Sequence, residues 1–136
     1  ADAKRDAHRR FSRGDAVIMC ATIAFGMGID RPDVRWVVHL DLPRSPESWY
    51  QEIGRAGRDG LPARALLLYG ASDISLARHR IEESPADPAQ KRIERGRLDA
   101  IVAIAEAATC RRALLLRCFG EEPEREACGN CDVCLS

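Results

Sequence analysis

Gln51-Glu52-Ile53-Gly54-Arg55-Ala56-Gly57-Arg58-Asp59-Gly60 carries the densest signal in the chain. At about 100° per residue, a helix through it sets Gln51, Arg55 and Arg58 within about 60° of one another, with Trp49, Ile53 and Ala56 opposite. Ser45 suits the N-cap, Pro46 the first helical position and Glu47 the positive end, so the helix is predicted to begin at residue 46. Gly54 and Gly57 each cost about 1 kcal/mol against alanine inside a helix, which points to close approach of a neighbour or a ligand. Two guanidiniums one turn apart fit a polyphosphate, because each is permanently charged and offers a planar fork to non-bridging oxygens. For an arbitrary arginine pair a solvated basic face is the default; the glycines and Gln51 favour phosphate here.

Toward the N-terminus, Ala3, Ala7, His8 and Phe11 share one face of a helical pattern over residues 3–12. Gly14-Asp15 is a turn, and the apolar run Ala16 to Cys20 reads as a buried strand with Cys20 as a small core residue. The loop from Ala21 to Asp30 has two glycines but lacks the third of a dinucleotide fingerprint. Val34 to Asp41, β-branched and aromatic, is a second strand, and His39 reads as a hydrogen-bonded strand residue, without a partner at triad or ligand spacing. After Gly60-Leu61-Pro62, the apolar run Ala63 to Tyr69 is a third strand. This order makes the class α/β: part of a parallel sheet with helices on its faces.

Ser72-Asp73 is predicted to cap a helix reaching about Glu83, and the two prolines within residues 84–88 end it. The domain boundary is placed there, giving an α/β part over 1–84 and a helical part over 85–136. In the second part Ile93, Ala100, Ile101, Ile104, Ala105 and Ala108 follow helical spacing. Their partner is a second helix over about 109–119 carrying Leu114, Leu115, Cys118 and Phe119.

At 136 residues the chain can bury one modest core, with a stapled appendage. The 21 basic residues balance the 21 acidic ones, so nucleic acid has to be met by a local patch and not by a global field. No run approaches the roughly 18 apolar residues needed to cross a bilayer, and the N-terminal segment lacks the apolar core of a signal peptide. The expectation is therefore a soluble protein of the reducing cytoplasm with no membrane partner.

Cys128-Gly129-Asn130-Cys131-Asp132-Val133-Cys134 is a C-x2-C-x2-C run, with Cys110 upstream. Thiolates two residues apart reach one tetrahedral metal at about 2.3 Å where a turn folds back between them, and Gly129-Asn130 is turn chemistry. Structural zinc on four thiolates ranks first. An iron–sulfur cluster ranks second, because its usual following Cys and Pro are missing, and disulfides rank last. Cys110 is preferred to Cys118 as fourth ligand. It stands beside Arg111 and Arg112, whose charge favours thiolate, whereas Cys118 falls at i+4 and i+3 from Leu114 and Leu115 and reads as core. Arg111, Arg112 and Arg117 are candidates for contact with DNA phosphates, and a solvated helix face is as good a reading of them.

Taken together, these motifs resemble one family. QEIGRAGRDG resembles motif VI of superfamily 2 helicases in its RecQ form, ATIAFGMGID resembles motif V, and TCRRALLLRCFGE followed by CGNCDVC resembles the RecQ zinc-binding subdomain. The resemblance spans essentially the whole chain. It implies the C-terminal part of the second RecA-like domain of an ATP-dependent 3′ to 5′ DNA helicase, followed by a zinc-binding subdomain carrying Cys110, Cys128, Cys131 and Cys134. It further implies Arg58 as arginine finger, with Gln51 and Arg55 orienting the nucleotide, and Gly28 and Asp30 near it. Thr22 would meet a DNA phosphate, with Arg111 and Arg112 as further DNA contacts. ATP and Mg²⁺ would be held in the intact enzyme, because this chain has neither G-x-x-x-x-G-K-[ST] nor a paired acidic motif. The implied partners are single-stranded DNA, duplex junctions and the first RecA-like domain. The implied setting is recombination and repair at a bacterial nucleoid. A stand-alone zinc-dependent DNA-binding module, and a helicase-like chain acting on RNA, are the competing readings.

Overall fold

The computed structural model describes residues 2–15, 18–22 and 31–136. The elements run α1 (Asp2–Ser12), β1 (Trp36–His39), α2 (Pro46–Ile53), β2 (Arg64–Leu67), α3 (Ala71–Glu83), α4 (Pro88–Glu106), α5 (Arg111–Cys118) and α6 (Asp132–Leu135). Contacts divide them into two units, Ala1–Val38 with Tyr50–Leu66, and His39–Trp49 with Leu67–Ser136.

β1 and β2 form a two-stranded sheet. Arg64 N–H donates to the Arg35 carbonyl at 2.8 Å and Leu68 N–H to that of His39 at 2.9 Å. Advancing four residues on one strand advances four on the other, so the pair is parallel, as expected. The strand predicted over 16–20 is not found at residues 18–20, and Ala16 and Val17 lie outside the described residues. Ile18 is 81% exposed, and Cys20 is exposed and not a core residue. An apolar run becomes a strand only where a neighbour takes up its backbone groups, and among the described residues only β1 and β2 pair. One side of the sheet is correspondingly open, with Trp36 and Leu40 54% and 73% exposed and the Arg64 guanidinium 5.3 Å from the Trp36 ring centroid.

α2 starts as its sequence dictates: Ser48 N–H donates to Ser45 Oγ at 3.2 Å, with Pro46 at the first turn. It ends at Ile53, earlier than the expected helix. Gly57 takes φ +66° and its N–H leaves the helical ladder for the Val34 carbonyl, 2.9 Å away. The arginine stretch is thus a helix that unwinds into a pinned loop.

In the second unit α3 begins one residue before Ser72. Gly70 is the N-cap, and Asp73 accepts from Gly70 N–H at 2.7 Å, closing the first turn from the third position. α4 is capped by Asp87, whose Oδ1 accepts from Gln90 N–H at 2.9 Å, with Pro88 following. Leu98, Ile101 and Ile104, spaced by three, are buried together with Ala113 and Leu115 of α5. Ile93 of the expected stripe stays half exposed. Cys118 is exposed rather than buried, because α5 turns Ala113 and Leu115 inward. Glu82 and Arg95 join α3 to α4 with a bidentate pair at 2.6 and 2.9 Å.

Candidate functional site

Two constructions stand out, a thiol cluster and an arginine loop. In the cluster the sulfurs of Cys110, Cys128, Cys131 and Cys134 all lie within 4.8 Å of one another. Cys110 occupies the N-cap position of α5, so its buried sulfur sits at the positive end of that helix. Gly129, at φ +65°, folds the chain so that Asn130 and Cys131 N–H groups point at Cys128 Sγ from 3.4 and 3.3 Å. Cys128 and Cys134 sulfurs are 4.0 Å apart. Tetrahedral bonds of about 2.3 Å place sulfurs about 3.8 Å apart, so the four thiols fit one zinc ion with little adjustment.

Their acidities say why a cation belongs there. Burial raises the Cys110 thiol, but the Ala113 and Cys128 N–H groups and the neighbouring sulfurs outweigh it and bring it to about 6. Cys131 is also lowered: burial opposes ionisation, and Arg111 and Cys134 N–H groups with the adjacent sulfurs overcome it. At Cys134 the Gly129 N–H favours thiolate, but the Cys131 and Cys110 sulfurs and burial push it up to about 11. Cys110, Cys131 and Cys134 thus differ in how readily they give up a proton, and a divalent cation would favour the thiolate at each. An ion held by all four sulfurs would have no position left for a reacting water.

Arg111 is built into this site. Its Nε and one terminal nitrogen donate to the Asp132 carboxylate at 2.6 and 2.8 Å. The other terminal nitrogen donates to the carbonyls of Ile104, Ala105 and Ala107 at 2.6, 2.8 and 3.4 Å. The guanidinium therefore closes the C-terminus of α4 and ties it to the residue after Cys131. It holds the Asp132 carboxyl below the usual range. This corrects the expectation that Arg111 faces DNA: its donors are committed internally and its side chain is 22% exposed. Arg117 is paired with Glu126 at 2.8 Å, while Arg112 and Thr22 are exposed. Gly28 and Asp30 lie outside the described residues.

In the arginine loop Gln51 and Arg58 are exposed and Arg55 half-buried. Gln51 lies in the last turn of α2 while Arg55 and Arg58 lie beyond its end, and the positive φ at Gly57 takes Arg58 off the helical path. Arg58 Nε donates to the Gly54 carbonyl at 3.4 Å. The residues that sequence reasoning missed are the supports, Arg35, Asp59 and Asp132. Each partnership joins positions more than twenty residues apart, a distance at which no local pattern signals a pair.

Two family profiles match the chain: the helicase conserved C-terminal domain over residues 1–60 and the RecQ zinc-binding domain over residues 71–135. The α/β part followed by a helical zinc-binding subdomain agrees with both. Among curated proteins, the ATP-dependent DNA helicase RecQ of Pasteurella multocida is 50% identical over 97% of this chain and 21% of its own length. The Haemophilus influenzae protein of the same name is 51% identical over 92% of this chain and 20% of its length. A RecQ-like DNA helicase of Caenorhabditis elegans is 45% identical over 86% and 12% respectively. The chain thus spans about a fifth of the length of its bacterial relatives. No helix among the described residues is long and apolar enough to cross a membrane.

Proposed function

The chain belongs to the RecQ family, and from that premise we propose that it works as part of an ATP-dependent DNA helicase moving 3′ to 5′ in recombination and repair. The observation that carries this reading is the coexistence, in one chain, of Gln51, Arg55 and Arg58 at the end of α2 and in the loop after it with a cluster of four thiols. Residues 1–84 are read as the end of the second RecA-like domain and 85–136 as the zinc subdomain. The zinc-binding match begins at residue 71 and so reaches back over α3, ahead of that boundary.

Arg58 acts as the arginine finger. It reaches the γ-phosphate of ATP held with Mg²⁺ by the first RecA-like domain and neutralises the charge that develops as the phosphoryl group departs. Gln51 and Arg55 hold the nucleotide in register, and Gly28 and Asp30 act as further nucleotide-binding residues. Because the finger crosses a cleft, hydrolysis opens and closes it and moves the strand. Thr22 and Arg112 contact DNA phosphates. The zinc ion supplies cross-linking alone: Cys110, Cys128, Cys131 and Cys134 hold it to fix α5 and α6 around the end of α4. The setting proposed for the intact protein is the bacterial nucleoid.

The test is DNA-stimulated ATPase of the full-length protein and of Arg58→Ala. A loss of roughly 10³ to 10⁵ in kcat is expected from removing a finger, with tailed duplexes unwound only from a 3′ overhang. The 136-residue chain alone should hydrolyse no ATP above buffer. Full activity in Arg58→Ala would refute the reading, and salt-sensitive DNA binding without any ATPase would favour a stand-alone binding module.

A further inference from the structure

Arg35 stands just before β1, outside every motif recognised in the sequence, yet all three nitrogens of its guanidinium donate hydrogen bonds. Nε donates to the Asp33 carbonyl at 3.1 Å, and one terminal nitrogen donates to the Pro62 carbonyl at 3.0 Å. The other meets the Pro32 carbonyl at 3.3 Å and both oxygens of Asp59 at 2.6 and 2.5 Å. Asp59 is gripped from three sides. Its Oδ1 also accepts from Leu61 N–H at 3.0 Å, and its own N–H donates to the Pro32 carbonyl at 3.2 Å. The residue on the other side of Arg58 is pinned too, by Gly57 N–H on the Val34 carbonyl at 2.9 Å.

Arg58 therefore sits between two backbone anchors on the segment 32–34, and the ion pair locks the second of them. We propose that Arg35 and Asp59 are positioning residues for Arg58: they set the direction in which the finger is presented without touching nucleotide themselves. The inference rests on the role given to Arg58 above. The chemistry suits the task, because a planar fork on a carboxylate fixes orientation as well as distance, which a lysine at the same place does not. Both side chains are partly shielded, at 34% and 24% exposure, so the lock is not a freely solvated surface pair.

Steady-state ATPase of the full-length protein, with DNA saturating, tests this in Asp59→Asn, Arg35→Lys, Arg58→Ala and the Arg58→Ala/Asp59→Asn double variant. Asp59→Asn keeps an oxygen for Leu61 N–H while removing the charge. A misdirected catalytic group loses about 10- to 100-fold; kcat is expected to fall by that factor in Asp59→Asn and Arg35→Lys. KM for ATP, zinc content and the urea midpoint should stay at parental values. In the Arg58→Ala background, Asp59→Asn should change kcat by less than about twofold, since groups acting through one another are not additive. A kcat within about twofold of the parent in both single variants, while Arg58→Ala is impaired, overturns this inference and leaves the finger intact. A further full drop in the double variant also overturns it, because general weakening of the fold adds to the loss of the finger. Unimpaired Arg58→Ala removes the finger and this inference with it.

Discussion

Gly57→Ala is the sharpest probe of how the arginine loop is built. At φ +66° an L-residue pays about 1–2 kcal/mol for the left-handed region. A Cβ there would also stand 3.0 Å from the Leu61 carbonyl oxygen and 3.1 Å from the Ala63 Cβ, backbone and near-backbone atoms that cannot swing aside. Overpacking of that kind costs typically about 1–3 kcal/mol, so the sum is about 2–5 kcal/mol. Gly60 is the internal control. It has φ +80° with nothing within 4 Å of an added Cβ, and Gly60→Ala should cost about 1–2 kcal/mol through the backbone alone. Urea denaturation followed by tryptophan fluorescence reads the difference. With an m-value of about 2 kcal/mol/M, the midpoint should drop by about 1–2.5 M in Gly57→Ala and by about 0.5–1 M in Gly60→Ala. Equal midpoints for the two variants would refute the close approach at Gly57.

Three further outcomes are expected. Gly96 lies in the interior of α4 with open space where a side chain would go, so Gly96→Ala should stabilise the second unit by about 0.5–1 kcal/mol, read as a higher urea midpoint. The Arg95 guanidinium, outweighing burial, holds the Glu82 carboxyl below its usual range. A depressed acid contributes stability above its unfolded pKa and loses it as pH falls through the lower folded value, so Glu82→Gln should flatten the acid side of the stability profile below about pH 4.3. Metal analysis should find zinc retained in Cys118→Ala and lost from Cys110→Ala, Cys128→Ala and Cys131→Ala, with the last three loosening the C-terminal third; full zinc in Cys110→Ala would remove that ligand from the set.

What was legible in the sequence was what local rules encode. The cap at Ser45 and the spacing of Ile101 and Ile104 locate the start of α2 and part of the α4 core, and the C-x2-C-x2-C run with Cys110 marks the four thiols that the fold brings together. The misreadings share a cause. The helix through Arg58 fails because Gly57 answers to the Val34 carbonyl, a tertiary partner, and not to its own ladder. The strand over 16–20 was read from an apolar run alone, and among the described residues nothing pairs with its end. Cys118 has helical spacing from apolar neighbours, yet α5 is too short for spacing to settle which face turns inward. Arg111 was read by its charge, and its use is set by the carbonyls at the end of α4 and the Asp132 carboxylate, which meet only in the fold.

That single guanidinium bears on how the sequence can drift. Arg111 satisfies three carbonyls at the end of α4 with one nitrogen and Asp132 with the other two. Lysine has one ammonium and cannot span both. An exchange at 111 therefore strips both a helix end and a carboxylate of their partner, whereas an exchange at 132 frees only two donors of the guanidinium and leaves the helix end closed.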